Sequence, residues 1–151
     1  MVKFAKLKEE GVNWANSFCK ALNESKSYAE AGKGWKGALL LIMKACGEIE
    51  EDIKAFVDVE GGKCRGITVL GPNENPPTEP VMAITGTMFV WRQLALQERD
   101  PIQALMTGVL ELDGDMSLAM RYSRAALELA RTAENTDTTL LTKYDLGSGN
   151  E

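Results

Sequence analysis

Apolar residues recur with helical spacing at the start of the chain. Between Phe4 and Leu22 they fall on one face, together with Gly11, while charged and amide side chains take the other side. The pattern predicts an amphipathic helix over 4–22. Residues 23–34 are polar and end in a glycine-rich segment, which predicts a connection without regular structure.

Strand patterns occupy the middle of the chain. Residues 38–43 form a short apolar run bounded by glycines, typical of a strand covered on both faces. Two alternating segments flank the turn at 60–63, which predicts a hairpin, and a loop follows at 71–77. The predicted strands are 38–43, 53–59, 64–70, 81–85 and 109–112.

Three capping signals predict the later helices. Thr87 precedes a helix over 88–97, and Asp100, followed by a proline, opens a short helix that ends at Thr107. Asp115 caps a long helix that runs to about Ala133. The predicted fold class is α+β, with a five-stranded, mainly antiparallel sheet covered by helices. We expect one domain over 1–134 and a loosely held polar tail over 135–151.

The 116–133 helix carries more apolar surface than covering a sheet requires. Small residues run along its middle, with bulky apolar residues on both sides. The small residues are Ala119, Ser123, Ala126, Ala130 and Ala133. Such a trough accepts another backbone closely, in the core or at a subunit interface, or lines a slot for an apolar ligand. The pattern alone leaves these interpretations open.

The 88–97 helix is also apolar on two sides, with only Arg92, Gln93 and Gln97 polar. Five of the seven methionines lie near these two helices. Methionine adapts to irregular apolar partners and is favoured on promiscuous binding surfaces, although it is equally at home in a core. Core packing and an apolar binding site both remain compatible with these residues.

Composition narrows the functions that the chain can have. Of its 151 residues 44% are hydrophobic and 26% charged, and the net charge of −5 argues against a nucleic-acid surface. No apolar run reaches the length of a membrane span, and the N-terminus lacks a secretory signal pattern. There is no histidine, which removes the usual proton shuttle and every histidine-based nucleophile or zinc site.

Cysteines and acidic residues give weaker signals. Cys19, Cys46 and Cys64 are odd in number and widely spaced, so we expect reduced thiols in the cytoplasm rather than a disulfide framework or a metal site.

Acidic residues cluster between 48 and 52, and glycines between 32 and 37, and we interpret both segments as turns. The arginines of the last helix, at 121, 124 and 131, form a solvated face or grip a ligand carboxylate at a cavity mouth.

Residues 91–115 carry a more specific signal, the sequence WRQLALQERDPIQALMTGVLELDGD. It resembles the signature of the sterol carrier protein type 2 family. The pattern has an aromatic-bearing helix, Asp-Pro before a short helix, a Met and a Gly at its exit, an alternating strand and Gly-Asp before the last helix. The order of elements over roughly 5–133 is similar to the family fold. The resemblance implies a non-catalytic domain that binds fatty acyl chains, sterols or other lipids between sheet and helices.

The expected site is therefore an apolar cavity between sheet and helices, without cofactor or metal. We expect the lipid to contact Met82, Ile84, Phe89, Trp91, Leu94, Leu105, Met106, Met116, Ala119, Met120, Ser123, Ala126 and Leu127. The expected partner is a lipid or fatty acyl ligand, with no nucleic acid and no stable membrane insertion. A homodimer is compatible with the helix trough.

Departures from the family pattern refine this expectation. The strand at 109–113 lacks the lysines that relatives commonly carry there, and Met120 stands where some members have glutamine, which favours a more apolar ligand. The chain ends without the peroxisomal tripeptide of eukaryotic relatives, as in a prokaryotic-type cytoplasmic protein.

Three functions compete at this point. The first is an intracellular carrier of an apolar lipid. The second is an accessory or dimerisation module in which the alanine trough packs against another subunit. The third is a small enzyme that uses Asp100, Asp113 or Asp115, although capping and turn positions already explain these acids.

Overall fold

A computed structural model describes residues 2–136 and 142–147. The chain forms six helices and five strands in these ranges. The helices are α1 (Phe4–Glu24), α2 (Lys26–Ala31), α3 (Met88–Ala95), α4 (Pro101–Met106), α5 (Met116–Arg121) and α6 (Ser123–Glu134). The strands are β1 (Leu39–Lys44), β2 (Ile53–Glu60), β3 (Lys63–Leu70), β4 (Met82–Thr87) and β5 (Glu111–Asp113). In these ranges none of the helices combines the length and the hydrophobicity that a membrane span requires.

The five strands form one sheet in the order β3-β2-β1-β4-β5. Only β1 and β4 run parallel, and the other three pairs are antiparallel. The β2–β3 hairpin turns through Gly61 and Gly62, both with positive φ, as a two-residue hairpin turn of this kind requires. The predicted α+β class, the mainly antiparallel sheet and the hairpin are therefore confirmed.

The two faces of the sheet bury different sets of residues. Leu39 belongs to the core that faces the helices, whereas Leu40 packs on the opposite face with Phe56 and Leu70. The connection from β3 to β4 must pass β2 and β1, and the Lys54 ammonium donates to its Glu74 carbonyl at 3.2 Å. This connection therefore runs over the second face. Leu39 and Leu40 are buried on opposite faces of β1, whereas residues 41–43 are half-buried and Lys44 is exposed, so the predicted burial on both sides holds for the start of the strand.

Three element boundaries differ from the sequence prediction. The segment 23–34 contains the six-residue helix α2. Its N-cap is Ser25, whose hydroxyl accepts a hydrogen bond from the Tyr28 amide at 3.1 Å. The long helix predicted over 116–133 is broken at Tyr122 into α5 and α6. Strand β5 has only three residues, because the Leu110 amide donates to Ala104 of α4 instead of joining the sheet. The predicted caps Thr87, Asp100 and Asp115 all accept backbone amides.

Helix α1 is joined covalently to the edge strand β3. Cys19 and Cys64 form a disulfide with 5.5 Å between their Cα atoms, so the expectation of three reduced thiols is wrong, and only Cys46 is free among the described residues. Asn23 reinforces the joint, because its side-chain amide donates to the Cys64 carbonyl and accepts the Cys64 amide, both at 2.8 Å. Sequence separation of 45 residues and an odd cysteine count conceal such a pairing.

The segment 142–147 packs against the domain rather than lying loosely beside it. Tyr144 and Leu146 are buried with Val2, Leu7 and Ile49. Gly47 adopts a positive φ where a side chain would collide with the Asp145 carbonyl, so the backbones meet closely here. Part of the predicted tail is therefore core, while residues 137–141 and 148–151 lie outside the described residues.

Candidate functional site: an apolar cavity

A cavity of about 260 Å³ lies between the sheet and the helices. Its floor is the helix-facing side of the sheet, where side chains two residues apart along a strand point the same way. The register places Leu39 beside Val57 on one side and Met82 on the other, so the floor is continuous from β2 to β4. The floor residues include Leu39, Leu41, Met43, Ala55, Val57, Val59, Ile67, Val69, Met82 and Ile84.

The roof of the cavity comes from several helices. Trp14 and Phe18 of α1 stack with ring centroids 5.1 Å apart, and both line the cavity. Helix α6 contributes its small residues, which leave room beneath it. The alanines of α5 and α6 that line the cavity are Ala119, Ala125, Ala126, Ala130 and Ala133. The alanine trough therefore roofs an internal space.

Most polar atoms of the aromatic side chains that line the cavity already form hydrogen bonds within the protein. All three tryptophans line the cavity, and each indole N–H has an acceptor. Trp14 donates to the Thr136 hydroxyl at 2.9 Å, Trp35 to the Gly37 carbonyl at 2.7 Å and Trp91 to the Ile42 carbonyl at 3.0 Å. These rings therefore present their apolar surfaces to the cavity.

Charge is nearly absent from the cavity wall. Arg92 is the single charged residue that lines it in the described part of the chain, and its guanidinium lies 5.1 Å from the centre of the Phe89 ring. Phe89 itself packs against the cluster around Tyr144 and Leu146. A space this apolar excludes ions and favours hydrocarbon.

Seven of the thirteen predicted contact residues line this cavity. They are Met82, Ile84, Trp91, Leu94, Leu105, Ala119 and Ala126. They come from β4, α3, α4, α5 and α6, so the fold gathers residues that are as far as 44 positions apart in the sequence.

The other six predicted residues do not line the cavity. Met106 is 74% exposed and Met116 is 41% exposed, so both point outward from the first or last turn of a short helix. Met120 packs against the buried cluster that contains Val90 and Leu105, and Phe89 packs against the cluster that contains Tyr144. Ser123 lies outside the lining, and Leu127 lines a separate polar cavity.

Sequence reasoning missed the contributions of three regions. These are α1 with Trp14 and Phe18, the β2–β3 hairpin, and the buried Tyr144 and Leu146. The first two carried a usable signal, because their periodicity already defines which face turns inward. Tyr144 carried no usable signal, since its neighbours in the sequence are polar.

A polar cavity adjoins the apolar one at the turn between α3 and α4. Pro101 and Ala130 line both spaces. The polar cavity is lined by two acidic residues, Glu98 and Asp100, and two basic residues, Arg99 and Arg131, so its charges are equal in number. Arg131 already forms an ion pair with Glu128 at 3.0 Å. Asp100 accepts the Ile102 and Gln103 amides as a helix cap. No group of three potential metal ligands occurs among the described residues.

Comparisons with known proteins identify the family. The family model of the SCP-2 sterol transfer family matches residues 15–127. The chain belongs to the SCP-2 sterol transfer family. Membership of this family suggests a role in lipid binding or transfer. A search of curated protein sequences gave no significant match.

Solved structures of the family support the fold over most of the chain. A sterol carrier protein 2 crystal structure superposes with a TM-score of 0.73 at 28% identity, covering 82% of this chain and 95% of the other. A conserved hypothetical protein from Thermus thermophilus, described as a possible sterol carrier protein, gives 0.72 at 29% identity, covering 82% and 85%. The apo form of sterol carrier protein 2 from Yarrowia lipolytica shares the fold. It has a TM-score of 0.53 at 17% identity and covers 80% of this chain and 88% of the other.

Proposed function

We propose that this protein is a non-catalytic carrier that holds an apolar lipid in the cavity between its sheet and helices. The ligand class is a fatty acyl chain, a fatty acid or a sterol- or isoprenoid-like molecule. The observation that carries the proposal is the apolar cavity of about 260 Å³ with one charged residue in its described lining. The seven predicted residues that line it are the proposed contacts, joined by Trp14, Phe18 and the sheet floor.

The size of the cavity and the energetics agree with such a ligand. An engineered apolar cavity of about 150 Å³ in another protein stays dry and binds benzene, so a larger one suits a longer hydrocarbon. Burying a twelve-carbon chain gains roughly 10 kcal/mol at about 0.8 kcal/mol per methylene. Association costs on the order of 4–15 kcal/mol, a range that brackets this gain, so burial of the hydrocarbon is the main favourable contribution to affinity.

The absence of catalysis is part of the proposal. Two of the three acids considered for an enzyme have structural roles, since Asp100 and Asp115 cap α4 and α5. The cytoplasm also remains a proposal, and the Cys19–Cys64 bond counts against it because disulfides persist mainly in oxidising compartments. A dimerisation module is the competing proposal, but the alanine trough already has an internal space beneath it.

The first experiment is native mass spectrometry of freshly purified protein, followed by solvent extraction of its ligand. We expect a bound lipid mass, or uptake of an added fatty acid. The variant Ala126→Trp, which fills the cavity beneath α6, should abolish that uptake. Ala5→Trp places the same side chain on the exposed side of α1 and serves as the matched control.

The outcomes separate the competing functions. A ligand-free dimer that takes up no fatty acid would refute the carrier and favour the dimerisation module. Unchanged uptake by folded Ala126→Trp would move the ligand out of this cavity. Far-ultraviolet circular dichroism of both variants establishes that they are folded.

A further inference from the structure

Tyr28 is a buried residue whose phenol hydroxyl has no hydrogen-bond partner in the described part of the chain. It is 2% exposed, is the one buried residue of α2 and lines the apolar cavity. Its hydroxyl contacts no donor or acceptor among the described residues, unlike the three indole N–H groups of the same wall. No side-chain oxygen in the described ranges is both fully enclosed and unpartnered, so the Tyr28 oxygen retains some accessible surface.

A largely desolvated hydroxyl in an apolar wall is unfavourable unless water or a cavity occupant forms a hydrogen bond with it. Desolvation of such a group is unfavourable, and a hydrogen bond from a cavity occupant removes that penalty. Burial raises the pKa of Tyr28 to about 12, so the phenol stays protonated at neutral pH and can donate as well as accept. A ligand oxygen is therefore the kind of group that completes this site.

Tyr122 extends the same end of the cavity. Its ring meets Trp35 edge-on, with centroids 5.0 Å apart, and it lines the cavity. Its hydroxyl lies beside Gly34, while the Tyr28 ring lies beside Gly32, so the turn after α2 adjoins both phenols. Within the described chain the Tyr122 hydroxyl also has no hydrogen-bond partner.

The charge of the wall decides which ligand oxygen fits. Arg92 is the charged residue of the described lining, and its guanidinium lies over Phe89, which packs against the cluster of Cys46 and Tyr144 beyond the C-terminal end of β1. No cationic residue of the described lining stands beside Tyr28. An ionised carboxylate placed there would lose its hydration without a counter-charge, whereas a hydroxyl or carbonyl oxygen would not.

We propose that the Tyr28 hydroxyl, at the end of the cavity that Tyr122 also lines, binds a neutral oxygen function of an otherwise apolar ligand, either a hydroxyl or a carbonyl. The ligand then lies with its oxygen at the α2 end of the cavity and its hydrocarbon along the sheet floor. This inference rests on the proposed function, because it assigns the orientation and chemical class of the same ligand.

The test compares dodecanol with dodecane, which differ in one oxygen. Binding is followed by tryptophan fluorescence, since all three tryptophans line the cavity. Tyr28→Phe removes the hydroxyl and keeps the ring. Tyr144→Phe is the matched control, because Tyr144 also lines the cavity but its hydroxyl donates to Glu10 at 3.4 Å.

We expect Tyr28→Phe to weaken dodecanol binding by about two- to tenfold, the usual effect of one net hydrogen bond, and to leave dodecane unchanged. Tyr144→Phe should leave the ratio of the two affinities as in the wild type. A tyrosine variant that fails to fold does not end the test. In the wild-type complex we expect nuclear Overhauser contacts between the oxygen-bearing methylene of dodecanol and the Tyr28 ring.

Each result bears on one proposal or on both. If the wild type binds neither compound, the proposed function fails and this inference falls with it. If dodecane binds but Tyr28→Phe changes neither affinity, the carrier function survives and the Tyr28 site is refuted. Overhauser contacts from the same methylene to the Tyr144 ring instead would refute the orientation.

Discussion

Breaking the bond between Cys19 and Cys64 should destabilise the protein strongly without unfolding it. The bond closes a loop across 45 positions, and the chain-entropy relation gives about 4 kcal/mol for a loop of that length. Asn23 keeps both of its 2.8 Å hydrogen bonds to the Cys64 backbone after reduction, so α1 should stay on β3. The melting temperature of a chain of this size should fall by roughly 8–16 °C.

Urea unfolding measures this loss directly. The oxidised wild type, the same protein under reductant and Cys19→Ala are compared, with Cys46→Ala as the control because Cys46 is buried but unpaired. We expect reduction and Cys19→Ala to lower the midpoint equally, and reductant to leave Cys19→Ala unchanged. Equal midpoints for oxidised and reduced wild type would refute the joint between α1 and β3. Alkylation of thiols in intact cells before lysis then shows whether the bond exists there, which tests the cytoplasmic proposal.

Two further predictions concern single side chains. Asn23→Ala removes both hydrogen bonds to Cys64 and should cost about 1–3 kcal/mol in urea unfolding, whereas Asn16→Ala on the exposed side of α1 should cost far less. The phenol absorbance of Tyr28, obtained as wild type minus Tyr28→Phe, should titrate near pH 12, because burial raises its pKa. Its contribution to stability is therefore complete below pH 10 and is lost as the pH rises towards 12, and a titration near pH 10 in the folded protein would contradict its burial.

Local chemistry in the sequence was enough to predict most of the fold. The caps Thr87, Asp100 and Asp115 act within three residues of themselves, and the hairpin turn needs only its two glycines. Such interactions leave a signature in a short window of sequence. Tertiary contacts leave no such signature in a short window of sequence. The break at Tyr122 has no glycine or proline, and its ring is instead held against Trp35, which lies 87 positions earlier.

The difference between local and tertiary interactions also explains which site residues were predicted. The small residues of α5 and α6 were found because a helix trough is a local pattern, and four of the five line the cavity. The methionines were a poorer guide, because Met106 and Met116 are apolar by composition yet lie on turns that face outward. Side-chain chemistry alone does not fix the direction in which a residue of a short helix points.

Tyr28 shows what only the folded structure supplies. Helix α2 spans six residues with one buried side chain, too few for a periodic pattern, so the sequence offered no reason to place this phenol in a core. Once it is placed there, the contrast with Trp14, Trp35 and Trp91 becomes informative, because those side chains have hydrogen-bond acceptors in the protein and Tyr28 has none among the described residues. A carrier that recognised hydrocarbon alone would gain nothing from such a hydroxyl, and phenylalanine would fill the space without the desolvation cost. The unpaired oxygen is therefore the strongest reason to seek a ligand that carries one of its own.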